Sequence, residues 1–136
     1  MADLTRIEVI KLIAVARFEL NLYGVDLREL NLNDLSFLNA NLENANLRSA
    51  NLRGANLSGA NLRSTIFLNA NLVGAILIGA NLENSNLENA NLGGVNLENS
   101  NLSGANLRGA NLHQANLLGA NLNGVEIDQN TYGLQA

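Results

Sequence analysis

The chain has 136 residues, a formal net charge of −4, one His, and neither Cys nor Pro. This length suits a single domain. Without Cys there is no disulfide, thiolate nucleophile or Cys-ligated zinc, and one His supplies neither a histidine cluster nor a Ser/His triad. The mildly acidic balance argues against direct binding of nucleic acid. Aromatic residues make up only 4% of the chain, so Leu and Ala must fill its core.

The first element is an α-helix predicted over residues 5–18. Thr5 followed by Glu8 matches a capping box, in which two side chains satisfy backbone N–H groups at the helix start. The apolar positions at helical spacing are Ile7, Ile10, Ala14 and Phe18, widened by Val9 and Ile13. We expect residues 1–19 to cap the structure that follows. A helix lying on a membrane surface is the alternative, disfavoured because its few polar residues carry both signs.

A five-residue period begins at Leu20 and continues to Gln129, so these 110 residues make 22 pentads. The middle residue of each pentad, its centre, is Leu in 19 of them, and Asn precedes the centre in 17. A small residue, most often Ala, lies two positions before the centre, and Gly or Asn lies two positions after it in 16 pentads. The repeat therefore dominates the chain and must decide its fold.

This period excludes both ordinary elements. On an α-helix each Leu would lie about 140° from the last and no apolar stripe would form, while on a flat strand an odd period reverses the side-chain face. Gly and Asn accept positive φ, so each pentad predicts a short extended piece and then a corner. Four corners of about 90° close a coil of 20 residues that rises roughly 4.8 Å. The predicted core includes Phe37, Leu42, Leu62, Phe67, Leu82 and Leu102.

The pattern A-N-L-x-x, as in the pentad centred on Leu52, resembles the pentapeptide repeat family, including its cyanobacterial members. The resemblance covers about four fifths of the chain. It implies an all-β solenoid, a right-handed quadrilateral parallel β-helix of about five and a half coils over residues 20–129, with an N-terminal capping α-helix.

The C-terminal tail, residues 130–136, is short. Tyr132 and Leu134 are expected to fold over the last layer, but they offer little cover. An open β-helix end exposes unpaired backbone and apolar core. Two states therefore remain open, a monomer and a homodimer joined end to end through the C-terminal ends.

The charged residues are interpreted as solvated surface. Two outward columns are predicted to form charge ladders, Glu43 with Arg63 and Glu83, and Glu88 with Arg108 and Asp128. Glu98 and His113 also face solvent, and the filled interior leaves no substrate cavity. We therefore predict no catalytic, cofactor-binding or metal-binding residue, no cofactor, and no enzyme activity.

One outward feature points to a function, an apolar belt within a single coil. Its members are Ile66, Leu68, Val73, Ile76 and Ile78. Such a cluster is a candidate partner-binding patch. We expect a cytoplasmic, non-enzymatic scaffold, regulatory or adaptor in role, that binds another protein through its faces and binds neither nucleic acid nor membrane.

The alternative function comes from the family resemblance. Some pentapeptide repeat proteins are thought to imitate the shape and charge of DNA and so bind DNA gyrase or another topoisomerase. Imitation needs an extended acidic surface. Here Arg48, Arg53 and Arg63 interrupt the acids, so the charges disfavour this hypothesis.

Overall fold

The computed structural model describes residues 3–16 and 19–134. Within them one α-helix, α1 (Arg6–Val15), precedes a long coil. The coil has no extended strands, because each side is so short that one residue forms its β-bridge. These bridges are parallel and join residues 20 apart, as in Asn41 to Asn61 and Asn61 to Asn81. The predicted quadrilateral parallel β-helix is confirmed.

Each corner is made by backbone in the left-handed region. Every pentad from the one centred on Leu22 to the one centred on Leu122 has a φ near +60° two residues after its centre. Gly and Asn dominate these positions, yet Glu29 and Ser49 adopt the same conformation with φ of 62° and 56°. The turn is therefore imposed by the coil as a whole, since such residues disfavour positive φ on their own.

The Asn before each centre stabilises its corner. Its side-chain oxygen accepts a hydrogen bond from the N–H two residues later, as from Arg63 to Asn61 at 3.2 Å. Asn side chains in successive coils also bond each other, as from Asn121 to Asn101 at 3.1 Å. These ladders explain why the repeat prefers Asn, which carries both a donor and an acceptor.

The interior is a column of stacked Leu and Ala layers. The predicted core residues all lie within it, at most 1% exposed: Phe37, Leu42, Leu62, Phe67, Leu82 and Leu102. Three hydroxyls replace Ala in the wall. Thr65 donates to the C=O of Leu42 at 2.8 Å and Ser100 to the C=O of Leu97 at 2.7 Å, whereas the buried hydroxyl of Ser85 has no partner.

The four sides of the coil are called faces 1 to 4, in the order in which the chain forms them. Face 1 has its centres at residues 22, 42, 62, 82, 102 and 122. Faces 2, 3 and 4 have theirs 5, 10 and 15 residues later, so faces 2 and 4 are opposite sides of the coil. Each centre points inward, and the residues before and after it point outward.

Helix α1 caps the start of the coil, but with a different side from the one predicted. Val9 is fully buried and Ile13 packs against the same core, whereas Ile7 and Ile10 are exposed. The expected stripe through Ile7, Ile10 and Ala14 was therefore wrong, because apolar residues surround the helix and spacing alone did not select a side. The helix also ends at Val15 rather than at residue 18, and Phe18 lies outside the described residues.

The segment before α1 closes the open edge of the first coil. The N–H of Asp3 donates to the C=O of Asp26 at 2.7 Å, and the Asp3 carboxylate accepts from the N–H of Asp26 at 2.9 Å. Arg6 donates to the C=O of Asn31 at 2.6 Å. The expected capping box between Thr5 and Glu8 is present. The N-terminal end is thus closed by apolar cover and by hydrogen bonds.

At the C-terminal end the repeat register changes. The bridges keep their 20-residue spacing up to Glu126, but the last one joins Asn111 to Tyr132, which is 21 residues. The pentad centred on Ile127 was expected to complete the repeat and instead leads into a turn closed by Thr131 and Asp128. Tyr132 extends the coil through its backbone, while its side chain and that of Leu134 remain exposed. The expectation that these side chains fold over the last layer was wrong.

Candidate protein-binding faces

The apolar belt is spread over three sides of the coil. Ile66 and Leu68 lie on face 2, Val73 on face 3, and Ile76 with Ile78 on face 4. The three isoleucines are exposed, whereas Leu68 and Val73 are half-buried. Because faces 2 and 4 are opposite, one flat partner surface cannot contact the whole belt. The belt is therefore two separate pairs, on faces 2 and 4, with Val73 alone on face 3 between them, rather than one patch.

Face 4 is the most apolar side. In the position after the centre, successive coils carry Leu38, Ser58, Ile78, Glu98 and Leu118. Leu38 is 54% exposed and Leu118 is 69% exposed. The three apolar residues are two coils apart, about 10 Å at the spacing of β-strands. Among the outward residues of face 4, all of which are described, Glu98 is the one charged side chain.

Face 2 has the opposite character. Eight charged residues lie outward on it: Asp26, Arg28, Glu29, Arg48, Glu88, Arg108, Glu126 and Asp128. Arg28 and Asp26 pair at 2.7 Å, and this hydrogen-bonded guanidinium lowers the pKa of the Asp26 carboxyl. Face 2 is thus a mixed-charge surface, on which Ile66 and Leu68 interrupt the polar residues.

The charge ladders are only partly as expected. On face 1, Arg63 and Glu83 lie 3.9 Å apart as predicted, but Glu43 accepts from the side-chain amide of Asn61 at 3.0 Å instead of pairing with Arg63. On face 2, Arg108 pairs with Glu126 at 2.9 Å rather than with Glu88 or Asp128. The Asp128 carboxylate instead accepts from the N–H of Gly109 at 3.0 Å, which lowers its pKa. Such exposed ion pairs contribute about 0–1 kcal/mol each.

Two belt residues replace the Asn that stabilises a corner. Ile66 and Ile76 occupy the position before the centre, so no side-chain oxygen accepts from the N–H of Leu68 or Ile78. Within the described chain these two N–H groups have no other intramolecular acceptor. An apolar residue there gives up a local hydrogen bond, which is worth about 1 kcal/mol.

The residues considered for catalysis are spread over the surface. Glu83, Glu88 and Glu98 lie on faces 1, 2 and 4 of one coil, and His113 is exposed on face 3. Across residues 3–16 and 19–134, no three His, Asp or Glu side chains are close enough to hold a metal ion. No helix in the same ranges is long and apolar enough to cross a membrane.

One apolar surface was missed from the sequence, a side of α1 next to Leu4. A groove of about 340 Å³ lies there, lined by Leu4, Glu8, Lys11, Leu12 and Val15. The signal was present, because α1 contains few polar residues and an all-round apolar helix normally lies buried. Sequence spacing could not show which side the coil would leave uncovered.

The repeat units match a known family along the coil. Eight copies of the pentapeptide repeat match residues 21–59, 55–94 and 90–127. The chain belongs to the pentapeptide repeat family. Its fold is accordingly the right-handed quadrilateral parallel β-helix of that family.

Solved pentapeptide repeat proteins resemble the chain. Rfr23 from the cyanobacterium Cyanothece 51142 is 37% identical, with 91% of this chain and 96% of that one covered and a TM-score of 0.61. HetL from Nostoc sp. strain PCC 7120, involved in heterocyst differentiation regulation, is 30% identical over 82% and 62% of the two chains, with a TM-score of 0.40. QnrB1, a plasmid-mediated fluoroquinolone resistance protein, is 22% identical over 80% and 65%, with a TM-score of 0.48. No curated protein sequence matches.

Proposed function

We propose that this pentapeptide repeat protein is a non-enzymatic scaffold that binds a partner protein through face 4. The observation that carries the proposal is the row of exposed apolar residues, Leu38, Ile76, Ile78 and Leu118, on a side with a single charge. Exposed apolar side chains that share one face are typical of a protein-binding surface. Burying such area contributes about 25 cal/mol per Å².

The residues of face 4 also predict the properties of the partner surface that binds it. The partner should present apolar side chains about 10 Å apart, to match the two-coil spacing of Leu38, Ile78 and Leu118. It should carry a cation opposite Glu98, which has no ion-pair partner among the described residues. The role we propose is that of a regulatory or adaptor protein. We also propose that it acts in the cytoplasm, and cell fractionation would test this location.

The test is capture of partners from a lysate of the source organism with two matched double variants. Ile76→Asn/Ile78→Ser removes the apolar pair on face 4 and installs repeat residues that occur elsewhere on that face, so the fold should persist. Ile66→Asn/Leu68→Ser makes the same change on the opposite face. We expect a specific protein to bind the wild type and the face 2 variant, and its affinity for the face 4 variant to fall at least tenfold. Equal binding to all three would contradict the proposal.

The DNA-mimic alternative is tested separately. On the described surface Arg48, Arg53 and Arg63 interrupt the carboxylates, and Arg63 and Arg108 form ion pairs, whereas mimicry of phosphates requires continuous negative charge. We expect no inhibition in a gyrase supercoiling assay at micromolar protein. Inhibition that survives the face 4 change would favour the alternative.

A further inference from the structure

Helix α1 has an apolar side that the coil does not cover. Val9 is fully buried and Ile13 packs against the same core. At about 100° per residue, Lys11 lies almost directly opposite the midpoint between these two residues. On the side that Lys11 marks, Ile7 is 64% exposed and Val15 is 71% exposed. Apolar side chains grouped on an open side of a helix are typical of a surface that contacts another molecule.

The groove on this side has the residue spacing of a helix-pairing stripe. It is lined by Leu4, Glu8, Lys11, Leu12 and Val15. Positions 4, 8, 11 and 15 are separated by four, three and four residues, which is the alternation of the a and d positions of a heptad. Leu4 precedes the helix, but its side chain lines the same groove. A stripe with this spacing is the surface through which one helix packs along another.

The stripe is complementary to a second copy of itself that runs antiparallel. A two-fold axis through the middle of the stripe brings Leu4 of each copy opposite Val15 of the other, and Glu8 of each copy opposite Lys11 of the other. The apolar pairs then lie at the two ends of the contact, and the two carboxylate–ammonium pairs lie between them. A parallel arrangement would instead place Glu8 beside Glu8 and Lys11 beside Lys11, and like charges repel. The charge pattern therefore selects the antiparallel arrangement.

Both central charges are available for such a contact. The Glu8 carboxylate uses Oε2 for the capping box, where it accepts from the N–H of Thr5 at 2.7 Å and from its hydroxyl at 2.8 Å. Among residues 3–16 and 19–134, the second oxygen of Glu8 has no hydrogen bond, and the Lys11 ammonium has neither a hydrogen bond nor an ion pair. A polar pair inside an apolar stripe fixes the register and the number of chains that associate.

We propose that α1 pairs, antiparallel, with α1 of a second copy of the chain. The coil packs against Val9 and Ile13, so the second copy approaches from the opposite, open side of the helix. Both copies use the same surface, so the contact closes as a dimer. A helix of ten residues is about 15 Å long. The contact therefore belongs to the small and transient interfaces, which bury less than about 1,200 Å².

A lipid surface suits this side of α1 less well than a second copy. Helices that lie on membranes carry their charges on the side away from the lipid. Here Glu8 and Lys11 lie in the middle of the exposed stripe, so insertion into lipid would remove water from both charges without supplying a partner. The antiparallel copy supplies the opposite charge to each of them.

Sedimentation equilibrium over a concentration series tests the pairing. The 14.5 kDa wild type should change from mostly monomer at about 10 µM to mostly dimer at about 1 mM, as a dissociation constant of about 0.1 mM requires. Lys11→Glu keeps the capping box but sets carboxylates against each other, so it should weaken self-association at least tenfold. The matched control is Arg48→Glu, which reverses an exposed cation on face 2. It should dimerise as the wild type does.

Disulfide cross-linking tests the direction of the pair. The chain has no Cys, so an introduced thiol reports one position alone. Leu4→Cys and Val15→Cys chains, mixed and oxidised, should form the mixed disulfide at least tenfold faster than Val15→Cys alone forms its own disulfide. The intact mass distinguishes the mixed product from the two symmetric ones.

Three results would overturn the proposal. The first is a wild type that stays monomeric up to about 1 mM. The second is a dimer that Lys11→Glu leaves unchanged or that Arg48→Glu dissociates, because the contact would then lie elsewhere. The third is cross-linking of Val15→Cys alone as fast as the mixture, which would exclude the antiparallel register. Ile76→Asn/Ile78→Ser should dimerise as the wild type does, so these results are independent of partner binding to face 4.

Discussion

The two ends of the coil are built in different ways from the same repeat. At the N-terminal end, Val9 inserts into the core and Asp3 and Arg6 bond the free edge. At the C-terminal end, Leu122 and Ile127 are left partly uncovered, and their N–H groups have no acceptor among residues 3–16 and 19–134. The repeat therefore specifies the middle of the solenoid, whereas each end depends on residues outside the repeat.

This difference follows from how a solenoid is stabilised. Each coil contacts only its neighbours, so an inner coil has two partners and a terminal coil has one. A terminal layer needs a substitute for the missing partner, or it remains the least stable part of the chain. Helix α1 is that substitute at the start of the coil.

The largest effect on stability is expected when a central Leu is truncated to Ala, and the loss should differ between the two ends. Leu22 and Leu122 occupy the centre of face 1 in the first and last coils, but only Leu22 is fully buried. We expect Leu22→Ala to lower the free energy of unfolding by about 2–5 kcal/mol, and Leu122→Ala by less than half as much. Urea unfolding of the two variants beside the wild type would measure both losses. Equal losses would show that the last layer is as well covered as the first.

The next effect concerns the hydrogen-bonded closure at the start of the coil. Arg6→Ala removes the donor to the C=O groups of Asn31 and Asn33. We expect a loss of about 1–2 kcal/mol, because these two carbonyls lose a charged donor. Exchange should accelerate in the first coil and stay unchanged in the last. Lys11→Ala, on the outer side of α1, is the control and should change stability by less than about 0.5 kcal/mol.

A smaller effect provides a reference from the middle of the coil. Ser85→Ala removes a buried hydroxyl that has no partner and should raise stability by about 1 kcal/mol. Ser100→Ala makes the same change where the hydroxyl bonds Leu97, and it should be neutral or destabilising. Thermal unfolding of the two variants would compare them directly. A gain of the same size in both would mean that the hydroxyl bond contributes nothing.

The smallest effect is the response to acid, which should involve both ends. The Asp26 pKa is lowered by Arg28 and the Asp128 pKa by the N–H of Gly109. A lowered folded-state pKa means that the ionised form stabilises the fold. That contribution is complete at neutral pH and is lost as the pH falls below the ordinary carboxyl range, about 4.

Substitution of each carboxylate in turn distinguishes the acid response of the first coil from that of the last coil. Asp128→Asn keeps an acceptor oxygen for Gly109 but cannot be protonated in this range, so exchange in the last coil should lose part of its acid dependence. Asp26→Asn should do the same in the first coil. Exchange measured from pH 6 down to pH 3 would show whether each change stays local. If Asp128→Asn changed the acid dependence of exchange in the first coil, the two carboxylates would not act locally and the prediction would be wrong.

The fold was predictable because the period fixes it. A centre every five residues and a left-handed corner at Gly or Asn permit few structures, and Leu42, Leu62 and Leu82 could be assigned to one inward column from arithmetic alone. The capping box was equally local, since Thr5 and Glu8 are three residues apart. Interactions that span one pentad or one coil could be read from spacing.

The surface sites were less predictable, because each depends on which of several similar side chains the fold buries or pairs. The apolar residues of α1 surround it, so spacing favoured Ile7 and Ile10 while the first coil buries Val9. Ile66 and Ile76 are ten residues apart and therefore lie on opposite faces, so their proximity along the chain does not bring them together in space. The partner of Arg108 also depends on side-chain reach within face 2, which the repeat does not encode.

The 20-residue register has a consequence for how such a chain can change length. Loss or gain of 20 codons would shorten or lengthen the solenoid by one coil and leave Leu38, Ile78 and Leu118 on the same face. Loss of five codons would keep the core intact but rotate every later residue by a quarter turn relative to the earlier ones. The single extra residue between Asn111 and Tyr132 matches neither a whole coil nor a whole pentad. The 20-residue register of the bridges therefore ends at this position.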